Sequence, residues 1–294
     1  ALVVYTEYIH QSFASVDKDQ TLTLTKPVAI YDTTIQVTPS LESQNDTFSD
    51  KEKQIESNML KMEQPIRGIY VSAPAMNAPK ARQRILDIIE STRINALVID
   101  VKDSSGYVFL PERNTELKNQ YSFNRTPYTQ NAQDFIYTLK EKGVYLIARI
   151  VVFQDPLMSS HISETALKHK DGTIWKDRKG MSFLDPQNQQ VWNYIKDLSL
   201  ETYQFGFDEI NFDYVRYPSD GMISQIQYNI DEGMTKRDMV EKFFIYIHDE
   251  LKLKNNILIS ADIFGDTVRL QGDPGIGQTF EQSLPYFDAV APMT

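Results

Sequence analysis

Residues 206–218, GFDEINFDYVRYP, combine the alternation of a strand with side chains that an ordinary core would reject. In an extended chain alternate residues share a face, so Glu209, Asn211 and Asp213 lie together and Asp208, Ile210 and Phe212 lie opposite. The face with Ile210 and Phe212 suits packing under a helix. The other carries an amide and two carboxylates, which are costly to bury unless they are paired or put to use. Arg216 and Tyr217 follow at once as donors just past the strand. One explanation is a structural Asp213–Arg216 ion pair at a strand terminus. The sharper expectation is a catalytic carboxylate at the C-terminal end of a barrel strand, where barrel enzymes keep their chemistry.

Working outward, strands and helices alternate from Pro65 onward, the pattern of parallel βαβ units. IRGIYVSA (66–73), NALVIDVKDSSG (95–106), VYLIARIVVFQDP (144–156), the stretch above, ILISADIFGD (257–266) and FDAVAPMT (287–294) read as six strands. Near-continuous apolar runs of this kind mark parallel strands buried on both faces. Helical spacing fills the intervals, with Pro79 in a first turn and Gly143 as a stop. A doubly wound sheet would want a glycine-rich turn after its first strand, and VSAPAMNAP has none. The expectation is an α/β chain of the (β/α)8 TIM-barrel type over residues 65–294, cut short after the sixth strand. Residues 1–64 contain no glycine and are rich in Thr, Ser, Gln, Asp and Lys; they read as an N-terminal extension and linker with short β segments.

Composition narrows the function classes. The 294 residues carry a formal charge of −10, with no basic stripe, which argues against a nucleic-acid partner. Without cysteine there is no disulfide, thiolate metal site or cysteine nucleophile. No apolar run reaches the roughly 18 residues of a membrane span. The chain begins with Ala, so a leader or anchor trimmed from its start is expected.

The C-terminal ends of the strands collect the polar groups. The second strand offers Asp100, Lys102 and Asp103; the third, Arg149; the fourth, Asn211, Asp213 and Arg216; the fifth, Asp262. An arginine inside LIARIVV needs an anion nearby, and Asp213 is the natural one. Carboxylates on separate strands are what glycosidic-bond hydrolysis requires: one protonates the leaving oxygen and the other attacks or activates water. Asp213, Asp262 and Asp100 are therefore the candidate catalytic residues. Arg149, Asn211, Lys102, Asp103, Arg216, Tyr217 and Tyr107 are candidates for holding substrate. Aromatics at the same end (Tyr107, Tyr121, Tyr128, Phe153, Trp175, Tyr214, Tyr217 and Phe264) suit stacking on sugar faces. His10, His161, His169 and His248 form no metal-binding pattern, and no GxSxG or P-loop occurs, so no cofactor is expected. Clustered aspartates leave a carboxylate-bound cation open as an alternative. GDPGIGQTF reads as a flexible loop.

RGIYVSA, NALVIDVKDSSG, GFDEINFDYVRYPSDG, SADIFGD and FDAVAPMT, in that order, resemble the bacterial putative glycoside hydrolase domain family over residues 65–294. The resemblance implies a TIM barrel distantly similar to the α-amylase-type glycosidases and a polysaccharide substrate. It also implies a secreted or envelope-associated setting. In amylase-like barrels the nucleophile ends the fourth strand and the acid ends the fifth, which maps onto Asp213 and Asp262. That pattern has an arginine two residues before the nucleophile and a glutamate as the acid, where this chain has Asn211 and an aspartate. A non-catalytic glycan-binding barrel of envelope or spore assembly is the rival expectation.

Overall fold

The computed structural model describes residues 65–111, 121–270 and 272–293, and the proposed N-terminal extension lies outside these residues. Six parallel strands form one sheet: β1 (Gly68–Val71), β2 (Ala96–Lys102), β3 (Tyr145–Val151), β4 (Glu209–Asp213), β5 (Leu258–Phe264) and β6 (Ala289–Met293). Each strand pairs with the next one along the chain, from β1 through to β6. A doubly wound sheet reverses its strand order at a switch point, and this sheet has no reversal. The architecture is that of the TIM barrel, represented by six curled strands with helices on the outer side.

The helices form where apolar residues recur every three or four positions. α1 (Pro79–Ser91) starts with proline in its first turn. α2 (Gln130–Glu141) buries Ala132, Phe135, Ile136 and Leu139. α3 (Gln189–Phe205) is capped by the Asn188 side chain, which accepts from the Gln190 and Val191 amides. It stops at Gly206, whose φ of 116° is open to glycine and strained for other residues. α4 (Lys236–Ile247) opens with a capping box between Thr235 and Asp238.

The alternation in the strands separates two environments. Leu97, Ile99, Leu146, Ala148, Ile210, Phe212, Ile259 and Ala261 join the helices in one large core. Ala96, Val98 and Ile147 face the other way and form a small apolar cluster with Ile66 on the inner face. Farther along β2 and β3 that inner face turns polar at Asp100 and Arg149, and on β4 and β5 it carries Glu209, Asn211, Asp213, Ser260 and Asp262. The apolar part of the inner face thus lies toward the N-terminal ends of β2 and β3, and β4 is polar along its whole inner face.

A repeated device ties the N-terminal ends. Asn95, Asp208 and Asp288 each stand one residue before β2, β4 and β6. Their side chains accept the amides of Arg67 (2.7 Å), Leu146 (2.9 Å) and Ile259 (3.0 Å) on the preceding strand's segment. Lys140 pairs with Asp208, and Lys252 with Asp288.

At the opposite end, the long connection after β3 folds over the sheet. Its segments pair around Lys168–His169, which bridges Ile226–Gln227 of the connection after β4. Trp175 is buried beneath, donating its indole N–H to the Met222 carbonyl at 3.1 Å. GDPGIGQTF, expected to be flexible, is wrapped around the Asp273 carboxylate, which accepts from the amides of Gly275, Ile276 and Gly277. Gln278 anchors the loop by donating to the Val215 carbonyl (3.1 Å) and accepting from the Phe264 amide (3.0 Å).

Candidate active site

Arg149 is the hub of the polar half of the inner face. Its position on β3 sets it opposite Asp100 of β2 on one side and Asn211 of β4 on the other. Nη1 donates to Asp100 Oδ1 at 2.7 Å, while Nε (3.1 Å) and Nη2 (2.5 Å) both donate to Asp213 Oδ2. The other Asp213 oxygen accepts the Tyr214 amide at 2.6 Å. One guanidinium therefore spans two buried carboxylates on flanking strands. Burial alone would lower the arginine's pKa, but the two carboxylates outweigh it and hold it above its ordinary value. The expected Arg149–Asp213 contact is present, and Arg216 makes no ion pair with Asp213 among the described residues. The residue two positions before Asp213 is Asn211, and the arginine stands opposite it on the neighbouring strand.

Asp100 also accepts a hydrogen bond from the Tyr70 hydroxyl on β1. Its pKa is nevertheless raised, because desolvation by burial exceeds the stabilising charge and hydrogen bonds of Arg149 and Tyr70. Tyr70 is pushed up as well, first by burial and then by its bond to the Asp100 carboxylate.

On the other flank Asn211 donates to Asp262 Oδ1 and to Ser260 Oγ, both at 3.1 Å. Ser260 donates to Glu209 at 2.5 Å, and Glu209 accepts from Tyr145 at 2.9 Å. Asp213 and Asp262 are thus held by adjacent residues of one sheet: Arg149 orients the first and Asn211 the second. Just past Asp213 the backbone turns through Tyr214 at φ 54°, a left-handed conformation that costs a non-glycine residue about 1–2 kcal/mol.

A model of the putative glycosyl hydrolase domain matches residues 68–294. The chain belongs to this family. Among solved structures, a hypothetical protein from Ruminiclostridium thermocellum is similar, with 28% identity and a TM-score of 0.58. The match covers 66% of this chain and 96% of that one. The Flavobacterium johnsoniae chitobiase is similar in fold at 14% identity and a TM-score of 0.50, over 72% of this chain and 32% of that one. No curated protein matches the sequence.

Within this domain, the sheet brings Asp100, Arg149, Asn211, Asp213 and Asp262 together. Three other candidates lie elsewhere. Lys102 follows a bulge that shifts its register after Asp100, so it pairs with Ile150 instead of continuing the inner face. Its ammonium is buried on Asp155 (3.0 Å) and the Val151 carbonyl (2.7 Å), where no substrate reaches it. Asp103 closes a turn by accepting from the Ser105 amide and hydroxyl. Tyr217 is wholly buried, with Tyr228 packed edge-on and Lys236 over its ring.

Tyr107 is exposed on the turn after β2, and Arg216 lies between the rings of Tyr214 and Phe264. Of the aromatics expected to stack on sugar, Tyr121, Tyr128, Phe153 and Trp175 are core residues. Tyr70, Ser260 and Glu209 were missing from the expected site. The period-two alternation finds Ser260 and Glu209, which share the faces of Asp262 and Asp213. Only the three-dimensional closeness of β1 and β2 finds Tyr70. Among the described residues no three His, Cys, Asp or Glu side chains gather as a metal site, and no helix is long and apolar enough to cross a membrane.

Proposed function

We propose that the chain cleaves a glycosidic bond of a polysaccharide, with Asp213 as nucleophile and Asp262 as acid and base. The Arg149 clamp on Asp213 carries this reading. Two N–H groups on one carboxylate oxygen and an amide on the other fix the carboxylate in place for attack on an anomeric carbon. Asp262 lies on the next strand, two residues before its end and bonded to Asn211. In the first step an Asp213 oxygen bonds to the anomeric carbon while the carbon–oxygen bond to the leaving sugar breaks, and the Asp262 proton passes to that oxygen. In the second, water gives a proton to Asp262 and its oxygen displaces Asp213. Two displacements at one carbon make retention the expected outcome.

Asp100 holds Arg149 from the other side and acts through it. Tyr107, Tyr214 and the half-exposed Tyr70 supply rings against which sugars can rest. A cell-wall or extracellular glycan would put the work outside the cell or in its envelope; the absence of cysteine fits either side of a membrane.

Asp213→Asn keeps the shape and removes the nucleophile. Release of reducing ends from a panel of cell-wall and storage glycans should be abolished in protein that circular dichroism shows to be folded, with the thermal midpoint lowered by the loss of one charge from the Arg149 cluster. A variant that cleaves at the wild-type rate rejects the assignment.

A further inference from the structure

Arg216 is buried, with only 8% of its surface exposed, yet it has no carboxylate partner among the described residues. Its guanidinium lies 5.0 Å from the centre of the Tyr214 ring and 5.3 Å from that of Phe264. Its hydrogen bonds go through one nitrogen: Nη1 donates to the Tyr217 carbonyl (3.1 Å) and to Ser219 Oγ (3.2 Å). Nε is buried without a partner, and Nη2 makes no hydrogen bond among the described residues. Asp213 and Asp220 act on this arginine through space only, and desolvation holds its pKa below the ordinary value.

A buried guanidinium without an ion partner is costly, and the Nε–Nη2 edge is the planar fork that grips an oxyanion with two parallel bonds. Arg149, on the strand beside Asp213, uses that very edge on Asp213. The rings on Arg216 fix the plane of its fork. Both belong to residues beside the candidate catalytic groups: Tyr214 follows Asp213, and Phe264 stands two residues past Asp262.

We infer that Arg216 is the subsite for an anionic group on the glycan, a carboxylate or a phosphate ester, so that the substrate is an acidic polysaccharide. This rests on the hydrolase reading for its substrate. The binding it predicts can be measured without turnover.

The test titrates D-glucuronate, glucose 6-phosphate and glucose into the full chain and follows binding by calorimetry. At least one anionic sugar should bind about tenfold or more tightly than glucose, the value of one charge-assisted hydrogen-bond pair. Which of the two binds better identifies carboxylate or phosphate as the group. The preference should vanish in Arg216→Gln and fall sharply in Arg216→Lys, which keeps the charge but loses the fork. It should survive in Asp213→Asn.

Equal affinity for charged and neutral sugars in the wild type overturns the inference, even if neither arginine variant folds. So does no binding of either anionic sugar, or a preference that outlasts Arg216→Gln. Loss of cleavage in Asp213→Asn without any anion preference removes the subsite and leaves the hydrolase reading standing; the reverse pair of results does the opposite.

Discussion

Arg149 shows how much one side chain organises. Its guanidinium is the shared partner of two carboxylates, each about 95% buried. Arg149→Met would leave both without a cation, and removing one partner of a buried ionic cluster typically costs about 3 kcal/mol or more. Denaturant unfolding at pH 7 should show that loss. A cost under about 1 kcal/mol would place the cluster in a far wetter setting than its burial indicates.

Asp100 sets a second expectation. Its folded-state pKa is raised by burial, so the native protein holds the proton more tightly than the unfolded chain. Its contribution to stability is complete below the ordinary carboxylate value and is lost as pH climbs through the raised one. The stability of Asp100→Asn minus that of wild type should therefore rise across that interval and be flat on either side. A falling difference would mean that Arg149 wins over desolvation.

At the scale of elements, the site depends on strands held in register from below. Asn95, Asp208 and Asp288 do this by bonding the neighbouring strand's first amides, well away from the polar ends. Asp208→Ala and Asp288→Ala should each cost about 1–2 kcal/mol, because each leaves a strand amide and a lysine without their acceptor. Glycan cleavage per folded molecule should not change; lost activity would tie these ends to the chemistry. The pairing was only partly legible in sequence. Alternation put Asp208 on the face opposite Asp213, but nothing local showed that it reaches Leu146.

Lys102 is the complementary lesson. Strict alternation set it beside Asp100, and a one-residue bulge turned it into the partner of Asp155. Aromatic residues misled for a related reason. Trp175 sits in a polar loop by composition, yet it is the buried core of a folded cover, because the loop pairs with a segment about fifty residues later.

For the whole molecule, barrel topology was legible because buried parallel strands leave apolar runs that need no long-range knowledge. The division of the inner face was legible on β2 and β3, as Asp100 and Arg149 each follow apolar residues on the same face of their strand. What joins them into one hydrogen-bonded line is the register between strands, which the chain's order implies but its composition does not.

Net charge adds a last consequence. With 40 acidic residues against 30 basic ones, the protein as a whole repels an acidic glycan, while Arg216 offers a local attraction behind low-dielectric walls. The two act over different distances. The global field extends about 30 Å in 10 mM salt and about 8 Å at physiological ionic strength, whereas a buried fork is screened far less. For an acidic oligosaccharide, stopped-flow association should therefore quicken as salt rises from about 10 to 150 mM, with dissociation nearly constant. A basic binding face would give the reverse, and association that slows with salt would show that the field at the mouth of the site is positive despite the acidic whole.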